Sequence, residues 1–218
     1  SQLEDVLFGE AGAAAAMRKG AVVIGCPTVA PAAARAIEAR LAQAGILYLD
    51  APISGGAVKA EAGELTVMMS GRPEAVRAAK PALDAMATTV FALGDEAGPG
   101  SAMKMINQLL AGVHIAAAAE AMTFALSQGI ELATTLEVIS KCAGTSWMFE
   151  NRGPHIVEGD YTPRSAVDIF IKDLGIVADT ARDARFPAPL AAAALQQFVA
   201  AGGSGHGKED DAAVAKVY

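Results

Sequence analysis

The sequence has only two cysteines, Cys26 and Cys142, which are far apart and belong to no Cys-x-x-Cys or Cys/His pattern. A disulfide framework or a zinc site needs closely grouped ligands, so neither is predicted. Unpaired cysteines are typical of proteins in reducing compartments. We therefore expect no metal and a reducing environment.

Aromatic residues are also scarce, at 5% of the 218 residues, although 53% of the chain is hydrophobic. Because alanine and glycine supply much of the apolar share, closely packed helices are expected rather than an aromatic-rich sandwich. This composition favours an α/β or all-α fold. Lysine and arginine number 17 against 24 acidic residues, and no basic stripe is present. A nucleic-acid partner is therefore not predicted.

Membrane and targeting signals are not evident in the sequence. No uninterrupted apolar run reaches the roughly 20 residues that a bilayer requires. The N-terminus lacks the charged, apolar, small-residue order of a signal peptide. These observations predict a cytoplasmic protein without a membrane partner. The first residue is Ser1 rather than Met, and the sequence of residues 1–9 is typical of the interior of a domain rather than of its start.

Short apolar segments alternate with helical periodicity in the first part of the chain. The predicted elements are strands at 21–24, 46–50, 65–71 and 88–93 and helices at 31–44 and 73–86. Strands and helices that alternate at this spacing indicate βαβ units and a largely parallel sheet.

A Gly/Pro-rich segment at 94–100 ends this alternation and suits a domain junction. The remainder has helical periodicity. Predicted helices are at 101–128, 134–142, 165–184 and 189–200, with loops around Gly153-Pro154, Gly159, Pro163 and Pro187. We therefore predict an α/β domain at 1–96 and a helical domain at 97–218.

One face of the long predicted helix at 101–128 carries Met103, Ile106, Leu110 and Val113. Their spacing predicts an apolar packing face. His114 follows on the stripe of Asn107, and we expect it to be an interior, hydrogen-bonded histidine.

The first candidate site is the segment Asp-Ala-Pro-Ile-Ser-Gly-Gly at 50–56, directly after a predicted strand. Gly55 and Gly56 leave backbone N–H groups unshielded, and Ser54 adds a hydroxyl group. Such a loop can bind a carboxylate at the carboxyl edge of a sheet. From spacing alone, an ordinary strand-to-helix turn is an equally good interpretation.

The second candidate site is the pair Lys104 and Asn107, three residues apart at the start of the long helix. They share a helix face near the predicted junction, where clefts form. A lysine that is partly withdrawn from water can exchange a proton near neutral pH. Taken alone, the residues fit a solvated lysine beside a surface asparagine better.

Two further positions complete the set. Lys172 precedes Asp173 inside a helix, which alone favours a simple helical charge pair. Thr28 follows the first predicted strand and could cap a helix or contact a cofactor. Helix capping is the simpler interpretation.

In their order and spacing, these segments resemble the β-hydroxyacid dehydrogenase family, which includes 3-hydroxyisobutyrate, tartronate-semialdehyde and L-threonate enzymes. The resemblance covers the whole chain. Residues 50–56 with Gly63 are similar to the substrate-binding signature, 100–107 to the catalytic segment, and 172–174 to the segment whose lysine approaches the nicotinamide. Residues 146–152 and 163–170 look most like the L-threonate dehydrogenase branch.

The resemblance implies a role for each candidate residue. Lys104 would be the general acid/base of hydride-transfer chemistry. The substrate-binding residues would be Ser54, Gly55, Gly56 and Asn107. Thr28 and Lys172 would lie on the side of the NAD or NADP cofactor.

The family also implies a fold and an assembly. Residues 1–96 would be the C-terminal part of a Rossmann-like, 6-phosphogluconate dehydrogenase-type dinucleotide-binding domain. Residues 97–218 would be an all-α substrate and dimerisation domain of a homodimer or homotetramer.

One family motif, the Gly-x-Gly-x-x-Gly fingerprint, is not found in the sequence. It would lie upstream of Ser1, as would the residue that selects NAD or NADP. We therefore expect a chain that lacks the first part of the dinucleotide-binding domain and is inactive by itself.

The leading functional hypothesis is oxidation of a small, L-threonate-like hydroxy acid. The alternatives are 3-hydroxyisobutyrate or tartronate-semialdehyde chemistry and, in a different class, a non-catalytic oligomerisation fragment. The dehydrogenase hypothesis predicts that the candidate residues converge in one cleft. These residues are Ser54, Lys104, Asn107 and Lys172, with Thr28 on the cofactor side of the cleft.

Overall fold

The computed structural model describes residues 2–218, which divide into two units, the first extending to Ile106 and the second running from Asn107 to Tyr218. The first unit alternates strands with helices. Its elements are α1 (Gln2–Phe8), a 3-10 turn (Ala13–Ala16), β1 (Val22–Gly25), α2 (Pro31–Gln43), β2 (Leu47–Asp50), β3 (Ile53–Ser54), α3 (Gly56–Ala62), β4 (Leu65–Met69), α4 (Pro73–Met86), β5 (Ala87–Ala92) and the start of α5 (Pro99–Ser127). The division falls inside α5, and the predicted domain boundary after residue 96 stays a prediction.

The strands form two small sheets. The pairs β1–β2 and β4–β5 are parallel, as predicted, whereas β3 runs antiparallel to β4. An isolated bridge between Asp50 and Ser70 joins the ends of the two sheets. The antiparallel strand was not predicted, because a two-residue strand carries too little alternation to be recognised.

Strand β2 is covered on both faces. Tyr48 packs in a cluster with Ile37 and Leu41 of α2, whereas Leu49 packs in a second cluster with Leu83 of α4. Consecutive strand residues point to opposite faces, so β2 lies between two helical layers. This burial explains why the strand is apolar until Asp50.

The second unit is helical, as predicted. Its elements are the remainder of α5, α6 (Leu132–Ile139), α7 (Trp147–Glu158), α8 (Val167–Asp183), α9 (Pro189–Ala201), a π-helical turn at Gly202–His206 and a 3-10 segment at Asp211–Val217. Phe170 of α8 stacks on Phe198 of α9 with ring centroids 5.1 Å apart. These two helices form the centre of the unit.

The C-terminal segment Asp211–Val217 is part of this core, since its residues 211–215 are buried. Arg152 of α7 pairs with Asp211 through both Nε and Nη2. His155 Nδ1 lies 2.9 Å from Asp210 Oδ1, and the backbone N–H of Arg164 donates to Asp210 Oδ2 at 3.0 Å. Two buried carboxylates thus attach the segment to α7 and to the loop before α8.

The prediction of a loop around Gly153-Pro154 is wrong, because both residues lie inside α7. The Ser146 side chain caps this helix by accepting a hydrogen bond from the backbone N–H of Phe149 at 3.0 Å. Phe149 is buried, whereas Trp147 is exposed. The cap and the apolar contacts maintain the helix despite the missing N–H of proline.

The predicted packing face of α5 is also wrong. Met103, Ile106 and Leu110 are 42%, 51% and 50% exposed, and His114 is exposed rather than interior. The buried face instead carries small and polar residues together with Ile115 and Met122. Because alanine is common on every side of this helix, apolar periodicity did not distinguish its faces.

Helix α5 bears on the prediction that no apolar run could cross a membrane. It has 29 residues, and its most apolar window has a mean hydropathy of 1.6, which suffices by length and composition alone. Within the fold, 39% of that window is buried, and core helices of soluble proteins meet the same criterion. Single polar residues interrupt the apolar run of this helix, so the sequence shows no uninterrupted span there.

Candidate active site

The glycine-containing loop lies at the end of β2, as predicted. Ser54 is half-buried in β3 and is paired with Thr66 of β4, whereas Gly55 and Gly56 are exposed. Their φ angles are 135° and 68°, a region that favours glycine. A Cβ at position 55 would lie 2.8 Å from the Cβ of Lys59. The loop therefore presents accessible backbone that other residues would cover or strain.

Lys104 lies in the second turn of α5 and is 9% exposed. It belongs to the first unit, together with Ser54 and Thr28. Long charged side chains are rarely buried to this degree. The structure therefore does not support the interpretation of Lys104 as a solvated surface lysine.

The start of α5 is attached to Asp50, the first residue of the glycine-containing loop. Asp50 is fully buried. Its Oδ2 accepts hydrogen bonds from the backbone N–H groups of Gly98 and Ser101, both at 2.9 Å, and from Ser70 Oγ at 3.2 Å. Its Oδ1 accepts one from Ser101 Oγ at 2.6 Å. A buried carboxylate is thus satisfied by the N-terminal end of a long helix.

A second buried network lies in the other unit. Asn107 Nδ2 donates to Gln108 Oε1 at 3.0 Å, and Gln108 Nε2 donates to Asp173 Oδ2 at 2.6 Å. Lys172 Nζ lies 2.9 Å from Asp173 Oδ1. Gln108 is 8% and Asp173 2% exposed, whereas the Lys172 side chain is 54% exposed. Two predicted site residues, Asn107 and Lys172, are therefore connected through two buried side chains.

Thr28 is half-buried in the segment between β1 and α2. Gly25, which ends β1, is buried against Tyr48, and a Cβ there would lie 2.2 Å from the phenolic oxygen. Thr28 thus follows the carboxyl end of a parallel strand, the position where dinucleotides bind in α/β sheets. The location fits a residue that contacts a nicotinamide cofactor. Among residues 2–218, no group of three His, Cys, Asp or Glu side chains could hold a metal ion.

The structure groups the predicted residues in two sets. The loop 54–56, Lys104 and Thr28 belong to the first unit, and Asn107 and Lys172 to the second. The convergence of both sets in one cleft, and the role of each residue, stay predictions.

Sequence reasoning missed Gln108 and the anchoring role of Asp50. Gln108 follows Asn107 directly, but its burial cannot be read from a helix face that also carries apolar residues. A partial signal existed for Asp50, since an acidic residue at the end of an apolar strand is unusual unless its charge is satisfied.

Comparison with known proteins gives the class. The family described as the NAD binding domain of 6-phosphogluconate dehydrogenase matches residues 1–94. The family described as the NAD-binding domain of NADP-dependent 3-hydroxyisobutyrate dehydrogenase matches residues 98–218. The chain belongs to this family of nicotinamide-dependent hydroxyacid dehydrogenases, and its cofactor is NAD or NADP.

The relatives indicate the branch. An L-threonate dehydrogenase of Cupriavidus necator is 58% identical over 100% of this chain and 73% of its own length. One from Escherichia coli O6:H1 is 54% identical over 100% of this chain and 72% of its own length. A crystal structure described as 3-hydroxyisobutyrate dehydrogenase from Salmonella typhimurium is 54% identical and has a TM-score of 0.95. The match covers 100% of this chain and 75% of that chain. These relatives support the L-threonate branch that the loops predicted.

Proposed function

We propose that the enzyme to which this chain belongs oxidises L-threonate or a similar small hydroxy acid with NAD or NADP. The observation that carries the proposal is the burial of Lys104 in the unit that also holds the exposed glycine-containing loop. One feature can bind a carboxylate, and the other can exchange a proton with a hydroxyl group. The substrate class comes from the relatives, which are named L-threonate dehydrogenases.

In this mechanism the Ser54 hydroxyl group and the backbone N–H groups of Gly55 and Gly56 bind the substrate carboxylate. Lys104 takes the proton of the reacting hydroxyl group while the carbinol C–H bond breaks. When bound, the cofactor supplies the oxidised nicotinamide that accepts the hydride.

Asn107 orients the hydroxyl group in this proposal, and Gln108 holds the Asn107 amide through the 3.0 Å hydrogen bond. Lys172 would approach the nicotinamide end of the cofactor, and Thr28 would contact the cofactor.

Substitution of Lys104 tests the mechanism. In the full-length enzyme, Lys104→Ala should lower kcat by about two to four orders of magnitude, the usual scale for loss of a general acid/base. The matched control is Lys80→Ala, because the Lys80 side chain on α4 is 69% exposed and pairs only locally with Asp84. Near-normal turnover of Lys104→Ala would remove this residue from the mechanism.

The second candidate is 3-hydroxyisobutyrate oxidation, favoured by the description of the Salmonella typhimurium structure. Tartronate-semialdehyde chemistry would use the same carboxylate-binding loop. A panel of hydroxy acids assayed with NAD and with NADP separates these substrates. Cofactor reduction with 3-hydroxyisobutyrate but none with L-threonate would refute the L-threonate assignment.

The proposal includes a homodimer or homotetramer in the cytoplasm. An apolar groove between α5 and α9 supports the oligomer. Its volume is about 340 Å³, and its lining residues Phe124 and Leu190 are 65% and 69% exposed. Exposed apolar patches of this kind are typical of protein interfaces. Light scattering of the full-length enzyme would detect a monomer if this part is wrong.

A further inference from the structure

We propose that Asp50 is a positioning residue, which fixes the first turn of α5 and thereby the backbone that carries Lys104. The inference rests on the proposed function in assigning the proton transfer to Lys104. Asp50 is buried and contacts no substrate in this proposal. Its effect is exerted through the helix.

Three backbone N–H groups at the start of α5 are fixed by one small cluster. Those of Gly98 and Ser101 donate to Asp50 Oδ2 at 2.9 Å. That of Gly100 donates to Ser70 Oγ at 2.9 Å, and Ser70 in turn donates to Asp50 Oδ2. Helix starts leave such N–H groups without intrahelical partners, so the cluster determines where the helix begins.

The helix start also lies in direct contact with the strand ends. A Cβ at Gly100 would lie 2.5 Å from the backbone oxygen of Met68 and 2.9 Å from that of Asp50. Only glycine permits this approach. Hydrogen bonds from Asp50 N to Ser70 O at 3.0 Å and from Ser70 N to Asp50 O at 2.7 Å hold the two strand ends together. The first turn therefore has both a directional and a steric constraint.

This geometry connects the two halves of the proposed chemistry within one unit. Ser101 lies three residues before Lys104, so the hydroxyl group bonded to Asp50 and the lysine share a helix face. Asp50 is also covalently part of the strand that leads to Ser54. A single carboxylate thus sets the backbone position of the acid/base relative to the carboxylate-binding loop. A displacement of about 1 Å in such an arrangement can cost about 100-fold in rate.

The test substitutes Asp50→Asn in the full-length enzyme, because asparagine keeps the volume but has one acceptor oxygen instead of two and carries no negative charge to bind the N–H groups of the helix start. We expect kcat to fall by about 10- to 100-fold, with a much smaller change in KM for substrate and cofactor. With substrate deuterated at the carbinol carbon, the isotope effect on kcat should rise, because misplacement slows the chemical step. Ser101→Ala, which removes only the hydrogen bond to Oδ1, should act in the same direction but less strongly.

The matched control is Leu83→Ala in α4, a buried apolar side chain of the same unit that makes no hydrogen bond to Asp50, Ser70 or the start of α5. It should lower stability while leaving kcat and the isotope effect unchanged. If Leu83→Ala reproduces the kinetic effect of Asp50→Asn, or if Asp50→Asn retains wild-type values, the positioning role is refuted.

Hydrogen exchange of the backbone amides at 98–104 separates this proposal from the proposed function. Asp50→Asn should accelerate exchange there more than Leu83→Ala does. If the wild-type enzyme turns over no hydroxy acid, the proposed function fails, but the exchange comparison still decides whether Asp50 fixes the helix start. Unchanged exchange at 98–104 overturns the inference whatever the activity.

Discussion

The buried hydrogen bond between Gln108 and Asp173 allows a quantitative prediction. Gln108→Leu keeps the approximate size of the side chain but removes the donor that lies 2.6 Å from Asp173 Oδ2. Hydrogen bonds to charged groups contribute about 1.5–3 kcal/mol, and leaving a buried acceptor without its partner costs the upper part of that range. Because both residues are less than 10% exposed, solvent cannot replace the lost donor efficiently.

We therefore expect Gln108→Leu to lower the free energy of unfolding by about 2–3 kcal/mol. For a chain of this size, the corresponding fall in melting temperature is about 4–12 °C. The second unit is helical, so its circular dichroism at about 222 nm in a urea titration reports this loss. The variant should also reduce kcat/KM, because Asn107 loses the amide that orients it.

A double-mutant cycle with Asp173→Asn isolates the pair. The two substitutions should be non-additive, with a coupling free energy of about 1 kcal/mol or more. The control is Thr123→Val on α5, whose hydroxyl group bonds only to backbone oxygens of its own helix. A loss below about 0.5 kcal/mol for Gln108→Leu, together with additive effects, would show that the hydrogen bond contributes no stability.

Two further predictions concern titratable groups. Burial alone would raise the pKa of Asp210, but hydrogen bonds from the Arg164 backbone and from His155 outweigh it and lower the pKa below its usual range. The stability that Asp210 contributes is therefore present above about pH 4 and is lost as the pH falls through the lower folded-state pKa. The difference in free energy of unfolding between wild type and Asp210→Asn should thus shrink below about pH 4. A difference that stays constant between about pH 6 and 3 would contradict this. Burial raises the pKa of the Cys26 thiol, whereas Cys142 is exposed. Iodoacetamide should therefore modify Cys142 first, as measured by peptide mass spectrometry. Faster modification of Cys26 would refute the claim that burial makes its thiol the less reactive of the two.

Much of the fold could be predicted because its signals are local. Helix α4 begins and ends at the predicted residues, since Pro73 favours a first helical turn and apolar residues recur with helical spacing. The family predicted from the resemblance was confirmed by the matched families and relatives. Local order was sufficient for both conclusions.

The missed features depend on contacts that are distant in sequence. Helix α7 contains Gly153 and Pro154, which locally favour a loop, and tertiary packing outweighs that preference. The position of Asp50 beside Ser101 joins residues 51 positions apart. Neither a propensity nor a spacing rule contains such a contact. For the same reason, the sequence could suggest the types of residue at the site but not what holds them in place.

The buried segment Asp211–Val217 has a consequence for synthesis on the ribosome. The contacts of the first unit are available once residue 106 has emerged, and folding of an N-terminal domain during translation is the general pattern. The second unit has no such early completion, because Arg152 and His155 meet their acidic partners only at positions 210 and 211. Until then the side chains of Arg152 and His155 lack their acidic partners. The apolar surface that will cover residues 211–215 also has nothing to pack against. Synthesis from the N-terminus therefore delays the closing of the helical unit until residues 210–215 are made. A nascent chain stalled before position 210 would expose this unfinished core to chaperones and proteases.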